Sequence, residues 1–146
     1  MPTISSEGPI WTLDLGTDEN RFSPDSLDLM HNALDEVESS DGPAALVTIG
    51  SGKFFSNGLD LDWLAAHPDR HQTYVDGVQN LFARVLTLPV PTVAAINGHA
   101  FGAGAMLAMA HDYRVMRSDR GFFCFPEADI RIPFTPGMND LITAKL

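Results

Sequence analysis

Basic residues are scarce in this chain of 146: nine Lys and Arg stand against nineteen Asp and Glu, for a formal net charge of −10. A protein whose main partner is nucleic acid or an anionic membrane surface needs a basic face to neutralise phosphates, so that class of partner is excluded. An anionic metabolite held by backbone donors is not. Cysteine is scarcer still. Cys124 is alone, so no internal disulfide can form, which fits a reducing compartment and predicts a cytoplasmic setting. Between Phe123 and Phe125 it reads as a buried, inert thiol. The opening "MPTISSEGPIW" lacks the basic start and apolar run of a secretion signal. Only residues 93–110 approach membrane-spanning length, and Asn97, His99 and several glycines interrupt them, which predicts a buried soluble segment. The phosphate loop GxxxxGK, the dinucleotide fingerprint GxGxxG and the serine elbow GxSxG are all missing. His67 and His71 lie four apart, but Pro68 separates them and no third ligand accompanies them, so no metal site is expected.

What is present is a globular balance, 45% hydrophobic and 19% charged, in a length that suits one domain spanning 1–146. "IWTLDLG" alternates Trp11, Leu13 and Leu15 on one side, a half-buried strand. Ser23 and Pro24 form a helix start, and Leu27, Met30, Leu34 and Val37 recur at helical spacing until "DGP" at 41–43. "AALVTIG" at 44–50 predicts a strand buried on both faces. A loop, "SGKFFSNG", and a short helix from Asp60 follow. Tyr74, Val78, Leu81, Val85 and Leu88 then mark a long helix that "PVP" at 89–91 ends. "TVAAI" predicts a strand, "NG" a turn, "AGAMLAMA" a compact helix, and "DYRVM" and "FFCF" two more strands. Strands alternating with helices predict an α/β domain.

Two junctions share one construction. A strand runs into Gly58 and a helix follows, and a strand runs into Gly102 and a helix follows. The first N–H groups of a helix have no intrahelical partner and sit at the positive end of its dipole. Glycine beside them admits close approach of a carbonyl. If two such termini converge, they present two donors to one oxygen, an oxyanion hole. Each donor there is worth roughly a hundred- to a thousandfold in rate.

"FFSNGLDL", then "VPTVAAINGHAFGAGAMLAMAHDYRV", then "FFCFPEADIRIPFTPGM" resemble the crotonase family of enoyl-CoA hydratases and isomerases, from about Ile10 to the chain end. The resemblance implies a crotonase-like (ClpP/crotonase) spiral of ββα units. It implies an acyl-CoA thioester as partner, with coenzyme A entering as part of the substrate and no separate cofactor. The thioester oxygen would lie between the backbone N–H groups of Leu59 and Ala103, the latter where many relatives have Gly. Lys53, Phe55, Ser56 and Asn57 would lie against the CoA adenine and ribose, with Gly58, Gly102 and Met106 around the thioester. Asp62 and Trp63 would border the acyl tunnel, with His99 either lining the acyl pocket or packing in its turn, while Asp60 would cap its own helix.

Hydratases of the family use two glutamates. In this sequence the first of those positions is Met106 and the second is Glu127, so one carboxylate remains. Adding water across a double bond is poorly served by a single acid–base group, whereas moving a double bond needs only one base. The resemblance therefore implies an isomerase converting 3-enoyl-CoA to trans-2-enoyl-CoA in fatty acid β-oxidation, closest to the single-glutamate delta3-delta2 isomerases. The alternatives are another, hydratase-like acyl-CoA enzyme of the family or a non-catalytic CoA-thioester-binding module. Compared with crotonase chains, the C-terminal helical part is lacking, which predicts a fragment or excised domain. A homotrimer or hexamer is expected of the full-length protein. His111 closes the apolar helix, Asp112 and Arg114 are expected to form an ion pair, and Asp35, Glu36 and Glu38 a solvated helix face.

Overall fold

The polar segment Thr3–Glu7 (β1) pairs antiparallel with Ile10–Asp14 (β2) through a two-residue connection in which Gly8 takes a φ of +57°. A computed structural model describes residues 1–146, with the side chains of Ala128 and Ile130 outside the description. β1 was not expected, because only Ile4 points inward from it; pairing with β2, rather than its own pattern, makes it a strand. Pro24–Glu38 (α1) starts as the sequence predicts, the Ser23 side chain accepting from Ser26 N–H at 3.2 Å with Pro24 in the first turn.

Three successive turns of chain then repeat one pattern. Ala45–Ile49 (β3) leads to Phe54–Ser56 (β4), the short helix Leu61–Ala66 (α2) and the long helix His71–Thr87 (α3), with a 3-10 turn at Pro68–Arg70 between the helices. Thr92–Ile96 (β5) leads to His99–Phe101 (β6) and Ala103–Ala110 (α4). Tyr113–Met116 (β7) leads to Phe123–Cys124 (β8), a single helical turn Glu127–Ile130 (α5) and Pro136–Lys145 (α6). The longer strand of each turn joins one sheet in the order β1-β2-β3-β5-β7, parallel beyond the opening hairpin. The short strands form a second sheet, β4-β6-β8, parallel throughout. This is a spiral of ββα units, the crotonase fold, as the resemblance predicts.

The sheet is covered unevenly, which corrects one expectation. In β3 only Leu46 and Thr48 are fully buried, while Ala45, Val47 and Ile49 on the opposite face are partly open, so the strand is not buried on both faces. α1 packs against β1 and β2 of the larger sheet. α4 differs: all eight of its residues are buried, as an all-apolar helix must be. It lies between α3 and α6 and against the second sheet. No described helix is long and apolar enough to cross a membrane.

Polar residues behind the site are spent on the fold. Asp112 does not pair with Arg114. Its Oδ2 accepts from Thr92 N–H at 2.8 Å and from the Thr92 hydroxyl at 3.0 Å. Arg114 instead donates to the His111 carbonyl at 3.0 Å, because the end of α4 leaves acceptors nearer than the carboxylate. His111 is wholly buried. Its Nδ1 donates to Leu107 O at 2.8 Å, which leaves Nε2 to accept from the Thr48 hydroxyl, also at 2.8 Å. Burial pushes its pKa down to about 4, so it is a neutral core group. The acidic run on α1 is exposed, as expected, and Asp35 and Glu38 also bind Arg84 of α3, at 2.6 and 3.1 Å.

Candidate active site

The first junction leaves β4 at Ser56 and enters α2, whose cap is Asp60 accepting from Trp63 N–H at 3.1 Å. Its amides are almost all occupied. Asn57 N–H donates to Glu19 O at 2.8 Å, Gly58 N–H to the Ser56 hydroxyl at 3.1 Å, and Asp60 N–H to the Tyr74 hydroxyl at 2.9 Å. Among the described hydrogen bonds none uses Leu59 N–H. The carbonyl of the same peptide unit, Gly58 O, accepts from Phe22 N–H at 2.9 Å. Because C=O and N–H point oppositely across a trans peptide, this anchor turns Leu59 N–H away from Phe22.

The second junction leaves β6 at Phe101. Gly102 N–H donates to Cys124 O at 2.9 Å, and Gly102 adopts φ +51°, ψ −122°, a conformation that side chains resist. α4 begins with no side-chain cap, and the amides of Ala103, Gly104 and Ala105 lack acceptors among the described bonds. The two junctions meet. A Cβ added to Gly58 would stand 2.8 Å from Phe101 O and 3.0 Å from Ala103 N, and one added to Gly104 would run into the Ser56 carbonyl. Glycine at 58 and 104 is what lets these backbones touch.

Glu127, the first residue of α5, reaches the same place. A Cβ on Gly102 would stand 3.0 Å from Glu127 Oε1. Glu127 is only 8% exposed, and its Oε2 is buried without a hydrogen-bond partner. Burial raises its pKa above the usual carboxylate value, since a charge there loses its hydration. A buried, unsatisfied carboxylate is costly for folding and is found where its chemistry is needed. Phe125 lies two residues before it, packed edge-on to Phe123 at 5.6 Å and to Phe134 at 6.4 Å, so this segment has apolar walls. A carboxylate so placed suits proton transfer at a carbon beside a carbonyl.

The other residues singled out in the sequence spread around this centre. Met106 is buried inside α4, one turn from Gly102. Phe55 and Ser56 are fully buried, their side chains committed to the fold; the Ser56 hydroxyl donates to Asn20 O at 2.8 Å. Asn57 donates to Glu19 Oε2 at 3.3 Å. Lys53 lies on the outer surface, its Nζ 5.2 Å from the centre of the Phe54 ring. Asp62 is also outside, its side chain 89% exposed and ion-paired with Arg21 at 2.6 Å. His99 packs in an aromatic group with Phe54, Phe101 and Phe122, so it packs beside its turn.

Asn20 and Asn97 were missed. Asn20 Nδ2 donates to Gly16 O, Phe54 O and Phe55 O, and Asn97 links Gly50 N–H to Gly52 O, so the pair stitches the first junction to both sheets. The signal for Asn97 was its place before Gly98; Asn20 carried none, because two of its three partners are 34 and 35 residues away.

The model of the enoyl-CoA hydratase/isomerase family matches residues 10–143, and the chain belongs to that family. Enoyl-CoA delta isomerase 3 of Arabidopsis thaliana is 41% identical over an alignment covering all of this chain and 64% of that protein. The peroxisomal enoyl-CoA delta isomerases 2 and 1 of the same plant are 38% and 40% identical over all of this chain and 64% and 62% of theirs. The chain thus spans a little under two thirds of the length of these relatives. Among solved structures, an enoyl-CoA hydratase/isomerase family protein from Pseudomonas syringae superposes with a TM-score of 0.90 at 26% identity, over 98% of this chain and 62% of that one. An enoyl-CoA isomerase of Mycobacterium tuberculosis does so with 0.86 at 26% identity, over 97% and 62%.

Proposed function

We propose that this chain forms the catalytic core of an enoyl-CoA isomerase that shifts a 3-enoyl-CoA double bond to trans-2-enoyl-CoA. The thioester oxygen sits between Leu59 N–H and Ala103 N–H, and Glu127 is the base. Its carboxylate takes a proton from C2, the electron pair moves into the thioester to give a dienolate, and charge gathers on the oxygen between the two amides. Glu127 then returns the proton at C4, leaving the double bond between C2 and C3. Atoms balance without water or cofactor, and coenzyme A remains attached throughout. Of the rate, a positioned base supplies roughly a hundred- to ten-thousandfold and each amide roughly a hundred- to thousandfold.

The observation that carries this reading is the buried, partnerless Glu127 carboxylate beside Gly102. Met106 supports it against hydration, since a thioether can neither position nor ionise a water. The names of the isomerase relatives point the same way. The loop carrying Lys53, Phe55, Ser56 and Asn57 faces the CoA, Asp62 borders the acyl tunnel, and Gly58, Gly102 and Met106 contribute backbone and packing around the thioester. The physiological role proposed is β-oxidation of unsaturated fatty acids, by a cytoplasmic homotrimer or hexamer of the full-length protein. Two of the named relatives are peroxisomal, so imaging of the tagged full-length protein decides the compartment.

The test is Glu127→Gln, assayed with 3-hexenoyl-CoA and with crotonyl-CoA. The parent is expected to isomerise the first far faster than it hydrates the second. The variant is expected to lose isomerase turnover by at least a hundredfold while still binding acyl-CoA. Unchanged turnover removes Glu127 as the base, a parent that favours crotonyl-CoA makes the enzyme a hydratase, and a parent that binds but turns over neither makes the chain a binding module.

A further inference from the structure

Tyr74 lies on α3 and is only 4% exposed, yet its hydroxyl is committed twice. It donates to Phe22 O at 2.5 Å and accepts from Asp60 N–H at 2.9 Å. Those two groups flank the peptide unit that ends in Leu59 N–H. Phe22 holds the carbonyl of that unit through its own N–H, and Asp60 is the next residue along. The Trp63 ring packs on Tyr74 at 5.3 Å, so the ring cannot swing away.

Resting on the oxyanion reading of Leu59, we infer that Tyr74 is a positioning residue, whose hydroxyl fixes Phe22 and Asp60 and thereby aims the Leu59 amide at the thioester oxygen. One phenol clamps both ends of the donor's peptide plane from behind. Burial raises its pKa to about 12, so the O–H keeps its proton at every working pH and can always donate to Phe22 O. Removing it leaves a carbonyl and an amide without their shared partner, and the plane between them gains freedom to tilt. A donor misplaced by a fraction of an ångström loses part of its value in the transition state, where the oxygen carries most charge, and little in the ground state. The phenol touches no reacting atom, so its effect falls on kcat.

The experiment compares the parent with Tyr74→Phe in steady-state isomerisation of 3-hexenoyl-CoA and in the infrared carbonyl stretch of bound, carbonyl-labelled hexanoyl-CoA, which cannot isomerise. In the parent the stretch is expected to move to lower frequency on binding. In the variant that shift is expected to shrink, with kcat down about tenfold and KM within about twofold. Tyr74 serving only as core packing would lower Tm and leave the carbonyl shift intact, and that result overturns the proposal. Absence of the shift in the parent itself overturns the oxyanion reading along with it. Should Tyr74→Phe not fold, the parent labelled with 3-fluorotyrosine decides. The chain has two tyrosines, and Tyr113 is 66% exposed. Hexanoyl-CoA is expected to move the Tyr74 fluorine signal and leave that of Tyr113 in place; an unmoved Tyr74 signal refutes the coupling.

Discussion

Replacing Gly58 by alanine perturbs the contact on which the site is built without touching any charged group. Two costs follow from the geometry. Gly58 has φ +80°, where an L side chain is strained by about 1–2 kcal/mol. The new methyl would also stand 2.8 Å from Phe101 O and 3.0 Å from Ala103 N, both backbone atoms that cannot rotate aside. The junctions must part by a few tenths of an ångström, which brings the total to about 2–3 kcal/mol, within the usual range for strained positions. A domain of this size then loses roughly 4–12 °C in Tm. Catalysis should suffer more than stability, because parting the junctions separates Leu59 N–H from Ala103 N–H. Losing one oxyanion donor costs roughly a hundred- to a thousandfold in kcat. The assay is kcat and KM for 3-hexenoyl-CoA at 15 °C, well below the lowered Tm, with circular dichroism to establish folding. A folded Gly58→Ala protein with the parent's kcat refutes the claim that these junctions jointly bind the developing charge.

Two pH effects of opposite sign are also expected. The folded pKa of His111, about 4, lies below its ordinary 6.5, so between those values the unfolded chain binds a proton that the folded chain refuses. The stability this residue protects is present above pH 6.5 and is lost as pH falls toward 4, about 3 kcal/mol across the interval. Urea unfolding at pH 7 and pH 5 should show about 2 kcal/mol of that loss, and a folded His111→Asn variant should lack it. For Glu127 burial raises the carboxyl pKa, so its stability contribution is present below the ordinary 4.5 and lost as pH rises through the folded value. As the proposed base Glu127 works only when ionised, so kcat/KM should climb with pH along a limb lying above 4.5. At pH 7 Glu127→Gln should be inactive yet at least as stable as the parent, and a clearly destabilised variant counts against a strained, functional carboxylate.

Legibility in the sequence followed the range of the interactions concerned. The Ser23 cap, the α1 and α3 stripes and the all-apolar α4 are local or periodic, and the structure places them where the pattern does. The short strands β4 and β6 were hidden, because three residues carry no period and become strands only by pairing across the second sheet. The Asp112–Arg114 pair failed for a related reason: adjacency in sequence suggested it, while Thr92, brought alongside by β5, took the carboxylate.

The amino-acid order determined that two glycine-led helix starts exist, and the resemblance to the crotonase family added that Glu127 and Met106 stand at the two positions where its hydratases carry acids. The first is a fact about residue type and spacing, the second what the family pattern implies. Only the tertiary structure decided that Gly58 and Ala103 touch, that Glu127 is buried beside Gly102 with one oxygen unpaired, and that Tyr74 clamps the first junction from behind. The reason is physical: contacts between segments 14 to 52 residues apart depend on how the sheets and helices pack, and no local pattern of side chains encodes the direction of an N–H bond.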